Sequence, residues 1–152
     1  YLLRHFVNAG IPCLGIEPTA STAASAEALG IPVRREFFGT ALAAQLVGDG
    51  MLADLVIGNN VLAHVPDIND FTEGIARILK PGGQVLILDL NEHHYEKAHE
   101  QFGDLWLGFK ESALHGFLKK AGFTKAEVQV VSRETVEPHF ETLLASGVKG
   151  GR

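Results

Sequence analysis

The sequence predicts an α/β domain with a mostly parallel sheet and flanking helices. Short apolar runs at residues 13–16, 55–57 and 85–88 alternate with segments whose apolar residues recur at helical spacing. Continuous apolar runs are typical of strands that helices cover on both faces. Glycine or proline follows the helical segments, as at Gly30 and at residues 80–83. A chain of 152 residues fits a single domain spanning residues 1–152.

The predicted elements follow one another with short connections. Helices are predicted over residues 2–7, 19–29, 40–47, 68–79 and 114–121. Strands are predicted over residues 13–16, 33–38, 55–57, 84–90, 124–132 and 139–144. The residues from Gly147 onward are predicted to form a frayed tail.

The composition restricts the partners that the chain can have. Hydrophobic residues make up 46% and charged residues 20% of the sequence, as in ordinary soluble globular proteins. The formal net charge of -5 argues against a broad basic surface for nucleic acid. Cys13 is the single cysteine, so neither an intrachain disulfide nor a zinc site of several thiolates is expected. We find no membrane-spanning apolar run and no signal peptide, and the expected location is cytoplasmic.

Polar side chains directly follow two predicted strands, at the carboxyl ends where open α/β sheets bind ligands. Glu17 follows the strand at residues 13–16, and Asn59 and Asn60 follow the strand at residues 55–57. A carboxylate at the position of Glu17 can accept two hydrogen bonds from a ribose 2′,3′-diol. Alternatively, Glu17 is a structural carboxylate near the amino terminus of the next helix, where the helix dipole favours negative charge.

Three segments together resemble the class I S-adenosylmethionine-dependent methyltransferases, which have a Rossmann-like fold. They are residues 14–18, 53–65 and 78–83, and they occur in the family's order and at plausible spacing. The resemblance covers nearly the whole chain and implies methyl transfer with S-adenosylmethionine as cofactor. From Gly15 to Phe71 the chain is similar to sugar C-methyltransferases that act on nucleotide-linked deoxysugars. From Gln84 onward, residues 102–109 are more similar to methyltransferases found beside or fused to arsenic-type regulators.

The resemblance also implies which residues bind the cofactor. Glu17, with Pro18 beside it, would bind the ribose. The cofactor and substrate face of the family's fourth strand would be formed by Asn59, Asn60 and Val61. The family's usual adenine contact corresponds to Glu36, Phe37 and Phe38.

The chain departs from the family at its amino terminus. The family's first strand and glycine-rich loop, which hold the methionyl end of the cofactor, should precede Tyr1, and no Gly-x-Gly-x-Gly pattern occurs in the sequence. That strand normally lies between the strands of Leu14 and Val56, and its loss would leave two strand edges unpaired. We therefore expect a domain truncated at its amino terminus. In the alternatives, the two inner strands close directly on each other, or a second copy or a partner chain covers the gap.

Histidine and tyrosine residues near the predicted strand ends are candidates for acid-base catalysis. His64 follows the strand at residues 55–57, and imidazole groups in general titrate near neutral pH. The alternative for His64 is a structural histidine in the loop before Pro66. The sugar C-methyltransferases use tyrosine and histidine in a corresponding region, so the resemblance implies roles for Tyr95 and His99. The histidines at residues 93–99 lack the i, i+4 spacing of a helical metal site, and no metal is predicted.

The function predicted from these observations is methyl transfer to a small molecule, with a carbon of a nucleotide-linked deoxysugar as the first candidate acceptor. The main alternative is an inactive fragment or an interaction module that pairs through its open sheet. A nicotinamide dehydrogenase would share Glu17 after a strand but not the Asn59-Asn60 pair or residues 80–83. A histidine-based metal protein is the remaining alternative.

Overall fold

The computed structural model describes residues 2–151, in two units that meet in sequence at Phe38 and Gly39. In the first unit, helices and strands alternate as α1 (Leu3–Asn8), β1 (Gly15–Ile16), α2 (Ala20–Glu27) and β2 (Val33–Arg34). Strands β1 and β2 pair in parallel, with Gly15 opposite Val33 and Ile16 opposite Arg34. The parallel pair joined by a helix is the arrangement that the sequence predicts for this part of the chain.

Both strands of the first unit are shorter than predicted. The backbone hydrogen bonds that flank the pair run from Gly15 N to Pro32 O, at 2.8 Å, and from Glu17 N to Arg34 O, at 3.0 Å. Beyond Arg34 the chain leaves the ladder, and the Arg35 guanidinium instead pairs with the Glu27 carboxylate of α2 at 2.5 Å. Residues 35–38, which were predicted as strand, are therefore not part of β2.

The second unit contains four helices, four strands and a 3-10 turn at Leu62–His64 among its described residues. The helices are α3 (Thr40–Gly48), α4 (Ile68–Ile78), α5 (Ala98–Phe102) and α6 (Glu111–Lys120). The strands are β3 (Ala53–Asn59), β4 (Leu79–Leu90), β5 (Phe123–Arg133) and β6 (Glu141–Lys149). They form one sheet in the order β3-β4-β6-β5.

This sheet is mixed, whereas the sequence predicts a mostly parallel one. Strands β3 and β4 are parallel, with α4 as their crossover, but β6 is antiparallel to both of its neighbours, β4 and β5. The reason is the short connection of residues 134–140 between β5 and β6, which allows a hairpin but no crossover. The predicted α/β class itself is confirmed.

Helix α4 shows how local sequence sets the boundaries of an element. The Asp67 carboxylate caps the helix by accepting hydrogen bonds from Asn69 N at 2.9 Å and Asp70 N at 3.1 Å. The helix ends at Ile78, because Pro81 lacks an amide hydrogen and disfavours helical geometry at the preceding residue. The side chains at the centre of this unit, each less than 2% exposed, include Leu46, Leu62, Ile75, Leu79, Val85, Ile87, Leu118 and Leu143.

Two further expectations for the second unit are wrong. The residues from Gly147 onward do not all form a frayed tail, because β6 continues to Lys149 between β4 and β5. Gly147 suits this position, since a Cβ there would lie 3.0 Å from the Phe123 Cβ. Strand β3 is not buried on both faces: it is the last strand of its sheet, and Leu55 is 38% exposed.

Candidate functional site

The turn that follows β3 is tightly built. Gly58 is buried, and a Cβ at this position would lie 3.1 Å from Val61 Cγ1, so the chain can fold closely over it. Asn60 has a φ of 52°, in the left-handed region that asparagine tolerates better than most residues. Its backbone N–H donates to Leu88 O at 2.8 Å. The side chains of Asn59 and Asn60 are thereby held on exposed positions at the carboxyl end of the strand.

Asp89 holds the next residues of this turn in place. Its side chain is 2% exposed, and Oδ2 accepts hydrogen bonds from Val61 N at 3.1 Å and Leu62 N at 2.8 Å. The other carboxylate oxygen accepts from Leu90 N at 2.9 Å. Burial raises the pKa of Asp89 above its ordinary value, while the three backbone hydrogen bonds and the nearby His64 act in the opposite direction. Sequence reasoning did not single out Asp89, although a carboxylate within the apolar run 85–90 is a recognisable signal.

The 3-10 turn that carries His64 is joined to residues 103–106, part of what we call the cap segment, residues 91–109. Ala63 O accepts hydrogen bonds from Leu105 N at 2.7 Å and from Trp106 N at 3.2 Å. The Trp106 indole Nε1 donates to Val65 O at 2.9 Å. These contacts fix the cap segment at the carboxyl end of β3, where the sequence predicts the substrate face.

Two of the three predicted acid-base residues lie beside one buried carboxylate residue of the cap segment. Asp104 is 8% exposed, and its Oδ1 lies 3.7 Å from His64 Nδ1. The Asp104 carbonyl oxygen lies 2.5 Å from His99 Nδ1. Tyr95 is turned elsewhere: its hydroxyl donates to Gln101 Oε1 at 3.0 Å. The structure thus groups His64 and His99, and it adds Asp104, which sequence reasoning quoted only as part of a motif.

His93 lies in the same segment but faces apolar surroundings. Its ring centroid lies 4.6 Å from that of Phe140, and its Nε2 is buried without a hydrogen-bond partner among the described residues. Burial lowers the pKa of His93, and the neighbouring His94 and His99 add to this effect while Asp104 opposes it. A neutral imidazole is the form that such surroundings favour. The described residues include no group of three or more side chains arranged to hold a metal ion.

In the first unit, Glu17 lies at the end of β1, as predicted. Its Oε1 accepts a hydrogen bond from Thr19 N at 2.8 Å, just before α2, which is the structural role considered for it. Within residues 2–151, no donor meets Oε2, so one carboxylate oxygen is available to a ribose hydroxyl. Pro18 is exposed beside it.

The predicted adenine contacts follow β2. Glu36 is exposed, Phe37 is 75% exposed and Phe38 is half-buried. An exposed phenylalanine ring can stack on a purine, and a carboxylate can accept from the adenine amino group. The residues that follow β1 and β2 therefore fit the ribose and adenine parts of S-adenosylmethionine chemically.

The model of a family described as methyltransferase domain matches residues 1–128 of this chain. The chain therefore belongs to that family, within the class I methyltransferases that use S-adenosylmethionine, and the predicted family, Rossmann-like fold and cofactor class are confirmed. None of the helices in residues 2–151 is both long and apolar enough to cross a bilayer.

Two curated relatives match about half of the chain. C-methyltransferase NovU of Streptomyces niveus is 30% identical over 81 residues, which are 53% of this chain and 19% of that protein. The polyketide synthase component of lovastatin nonaketide synthase from Aspergillus terreus is 28% identical over 94 residues, which are 53% of this chain and 3% of that protein. The chain thus spans a small part of the length of these relatives.

Solved structures share the fold across nearly the whole chain. A possible histamine N-methyltransferase from Thermotoga maritima has a TM-score of 0.69 and 22% identity, covering 95% of this chain and 75% of that one. A methyltransferase from Archaeoglobus fulgidus has a TM-score of 0.76 and 12% identity, covering 97% of this chain and 80% of that one. At these identities the likeness shows the fold alone.

Proposed function

We propose that this chain binds S-adenosylmethionine and takes part in methyl transfer to a carbon atom of a small molecule, with a nucleotide-linked deoxysugar as the first candidate. The observation that carries the proposal is the match of the methyltransferase-domain family to residues 1–128. The C-methyltransferase among the relatives favours carbon over nitrogen as the acceptor.

The residues at the strand ends have distinct roles in this proposal. The Glu17 carboxylate binds the ribose hydroxyls, with Pro18 shaping the turn beside it. The exposed Phe37, with Glu36 and Phe38, contacts the adenine. The turn of Asn59, Asn60 and Val61, held in shape by Asp89, orients the cofactor and the acceptor. Bound S-adenosylmethionine supplies an electrophilic methyl group, so catalysis by the protein consists mainly of orientation and proton removal.

His64 is the proposed base, because it is placed directly beyond the turn that follows β3 and its side chain is 44% exposed. For Tyr95 and His99, acid-base roles were implied by the resemblance to the sugar C-methyltransferases. In the structure Tyr95 OH and His99 Nδ1 are both engaged, by Gln101 and by the Asp104 carbonyl oxygen. We therefore assign them to the support of the cap segment and leave the proton transfer to His64.

The acceptor proposal is tested by incubating the protein with isotopically labelled S-adenosylmethionine and nucleotide-linked deoxysugars that carry a ketone. A ketone acidifies the neighbouring carbon, which makes it a suitable nucleophile after proton removal. We expect a product in which NMR places the labelled methyl group on a ring carbon. The matched control uses the corresponding sugars without the ketone, which we expect to stay unmethylated. Methylation only at nitrogen or oxygen acceptors would contradict the proposal.

A second candidate function is suggested by the free edge of β3. No strand of the described residues pairs with that edge, and unpaired edges promote association with another chain. A solved structure with a TM-score of 0.72 and 18% identity is a complex of the Haloferax volcanii Trm112 methyltransferase activator with a possible methyltransferase. We propose a second copy or a partner chain on this edge, and a sedimentation measurement that finds only monomers of this chain would exclude the second copy.

A further inference from the structure

The structure places a buried carboxylate against an exposed histidine. The Asp104 side chain is 8% exposed and the His64 side chain is 44% exposed, with 3.7 Å between Oδ1 and Nδ1. A carboxylate that is removed from water requires a partner that balances its charge or donates hydrogen bonds to it. The His64 imidazole lies within ion-pair distance of the Asp104 carboxylate and is placed to be that partner.

The backbone fixes this pair from both sides. Ala63, which precedes His64, accepts hydrogen bonds from Leu105 N at 2.7 Å and Trp106 N at 3.2 Å, directly after Asp104. On the other side, the Asp104 carbonyl oxygen and His99 Nδ1 lie 2.5 Å apart. Asp104 therefore cannot move away from His64 unless the cap segment separates from the 3-10 turn.

The surroundings of His64 Nδ1 also determine which ring nitrogen carries the proton. Gly103 O lies 3.4 Å from Nδ1 and Asp104 Oδ1 lies 3.7 Å from it, and both of these oxygens are acceptors when the carboxylate is ionised. A nitrogen that faces two acceptors is stabilised as the N–H form. The other ring nitrogen, Nε2, is then left with its lone pair.

We propose that Asp104 is a positioning residue that holds the His64 imidazole as the Nδ1–H tautomer, so that Nε2 can take a proton from the methyl acceptor. This inference rests on the proposed function and narrows it to acceptors that must lose a proton, such as a carbon next to a carbonyl group. The acceptor carbon forms its new bond to the methyl group with the electron pair of its broken C–H bond. The proton goes to His64 Nε2, and the electron pair of the broken C–S bond stays on the sulfur, which becomes a neutral thioether.

The tautomer can be measured directly on the unmodified protein. In a ¹⁵N NMR spectrum at a pH of about 8.5, where histidines are neutral, the two ring nitrogens have different chemical shifts in the two tautomers. We expect the Nδ1–H form for His64. A His64 ring that carries its proton on Nε2 would overturn the proposal. This experiment needs no methyl donor or acceptor, so its result is independent of whether the chain transfers a methyl group.

The variant Asp104→Asn tests the role of the carboxylate. Its amide can donate a hydrogen bond toward Nδ1, so we expect His64 to shift toward the Nε2–H tautomer. The matched control is Glu100→Gln, which neutralises an exposed carboxylate of the same segment and should leave the tautomer unchanged. The ring nitrogens of His115, on α6, serve as an internal reference in both variants.

The kinetic consequence separates positioning from a purely structural role. With the ketone-bearing nucleotide sugars as probes, Asp104→Asn should slow methyl transfer by about 10²- to 10⁴-fold, the usual contribution of a general base. Binding of S-adenosylhomocysteine, measured by calorimetry, should be unchanged, which shows that the variant is folded. An unreduced rate in a variant whose tautomer has shifted would show that Asp104 does not act through His64.

Discussion

At the scale of single residues, the turn after β3 depends on Asp89. One buried carboxylate accepts hydrogen bonds from three backbone N–H groups, those of Val61, Leu62 and Leu90. The sequence marks the exposed Asn59 and Asn60 as candidates, because polar residues at a strand end are conspicuous. The residue that shapes their turn lies on the neighbouring strand, and only the pairing of β3 with β4 reveals the contact.

Replacing Asp89 by Asn should destabilise the protein by about 1–3 kcal/mol, because the new amide group cannot accept the Leu90 N–H, which is left unpaired. Burial raises the pKa of Asp89 above its ordinary value of 3.8, so between the two pKa values the folded state binds more protons than the unfolded state. The wild-type contribution of this residue therefore falls as the pH rises through that interval. Asparagine does not titrate, so the difference in free energy of unfolding between the wild type and the variant should become smaller as the pH rises.

The measurement for Asp89 is the free energy of unfolding of both proteins, from urea titrations between acidic and neutral pH. If the difference in free energy of unfolding instead grew as the pH rises, the backbone hydrogen bonds would outweigh burial, and the pKa of Asp89 would be lowered rather than raised.

At the scale of elements, the sequence predicts α4 and β4 well because their signals are local. The capping residue Asp67, the apolar stripe of the helix and Pro81 all lie within or beside the segment that they define. Local sequence signals do not predict the bounds of a strand that is stabilised by pairing with segments elsewhere in the sequence. The end of β6 was predicted as a tail because Gly147 and Gly150 suggest fraying, whereas pairing with β4 and β5 keeps the strand ordered to Lys149.

Helix α4 offers a test of its cap. Asp67→Ala removes the acceptor of two backbone N–H groups and should lower the free energy of unfolding by about 1 kcal/mol. The matched control is Glu73→Ala, which replaces an exposed carboxylate in the interior of the same helix and should change stability by a few tenths of a kcal/mol. Thermal or urea unfolding of the two variants gives the comparison. Equal losses in both variants would mean that the Asp67 cap contributes nothing specific.

In the candidate site, too, contacts between segments that are remote in sequence could not be predicted. His64 and His99 could be proposed from their positions after strands and in a polar segment. Their common neighbour Asp104 could not, because the contacts of Ala63 with Leu105 and Trp106 join parts of the chain that are remote in sequence. Among the aromatic residues between 102 and 109, Phe109 is buried while Trp106 is 43% exposed.

At the scale of the whole molecule, the repeated alternation of helix and strand was sufficient to predict the class of fold. The resemblance of residues 14–18, 53–65 and 78–83 to the methyltransferases identified the family that the comparisons show. The mixed sheet was not predicted, since the direction of β6 depends on a hairpin whose sequence carries no strong turn signal. The description of residues 1–152 as a single domain stays a prediction.

The central claim is that this chain binds S-adenosylmethionine through Glu17, and calorimetric titration tests it most directly. We expect stoichiometric binding of S-adenosylmethionine and S-adenosylhomocysteine to the wild-type chain, and binding weakened about 10- to 100-fold in Glu17→Ala, because hydrogen bonds to a charged group contribute about 1.5–3 kcal/mol. Glu27→Ala is the matched control, since its exposed carboxylate pairs only with Arg35 among the described residues and should not affect binding. A folded wild-type chain that binds neither ligand, or a Glu17→Ala variant that binds as tightly as the wild type, would contradict the claim.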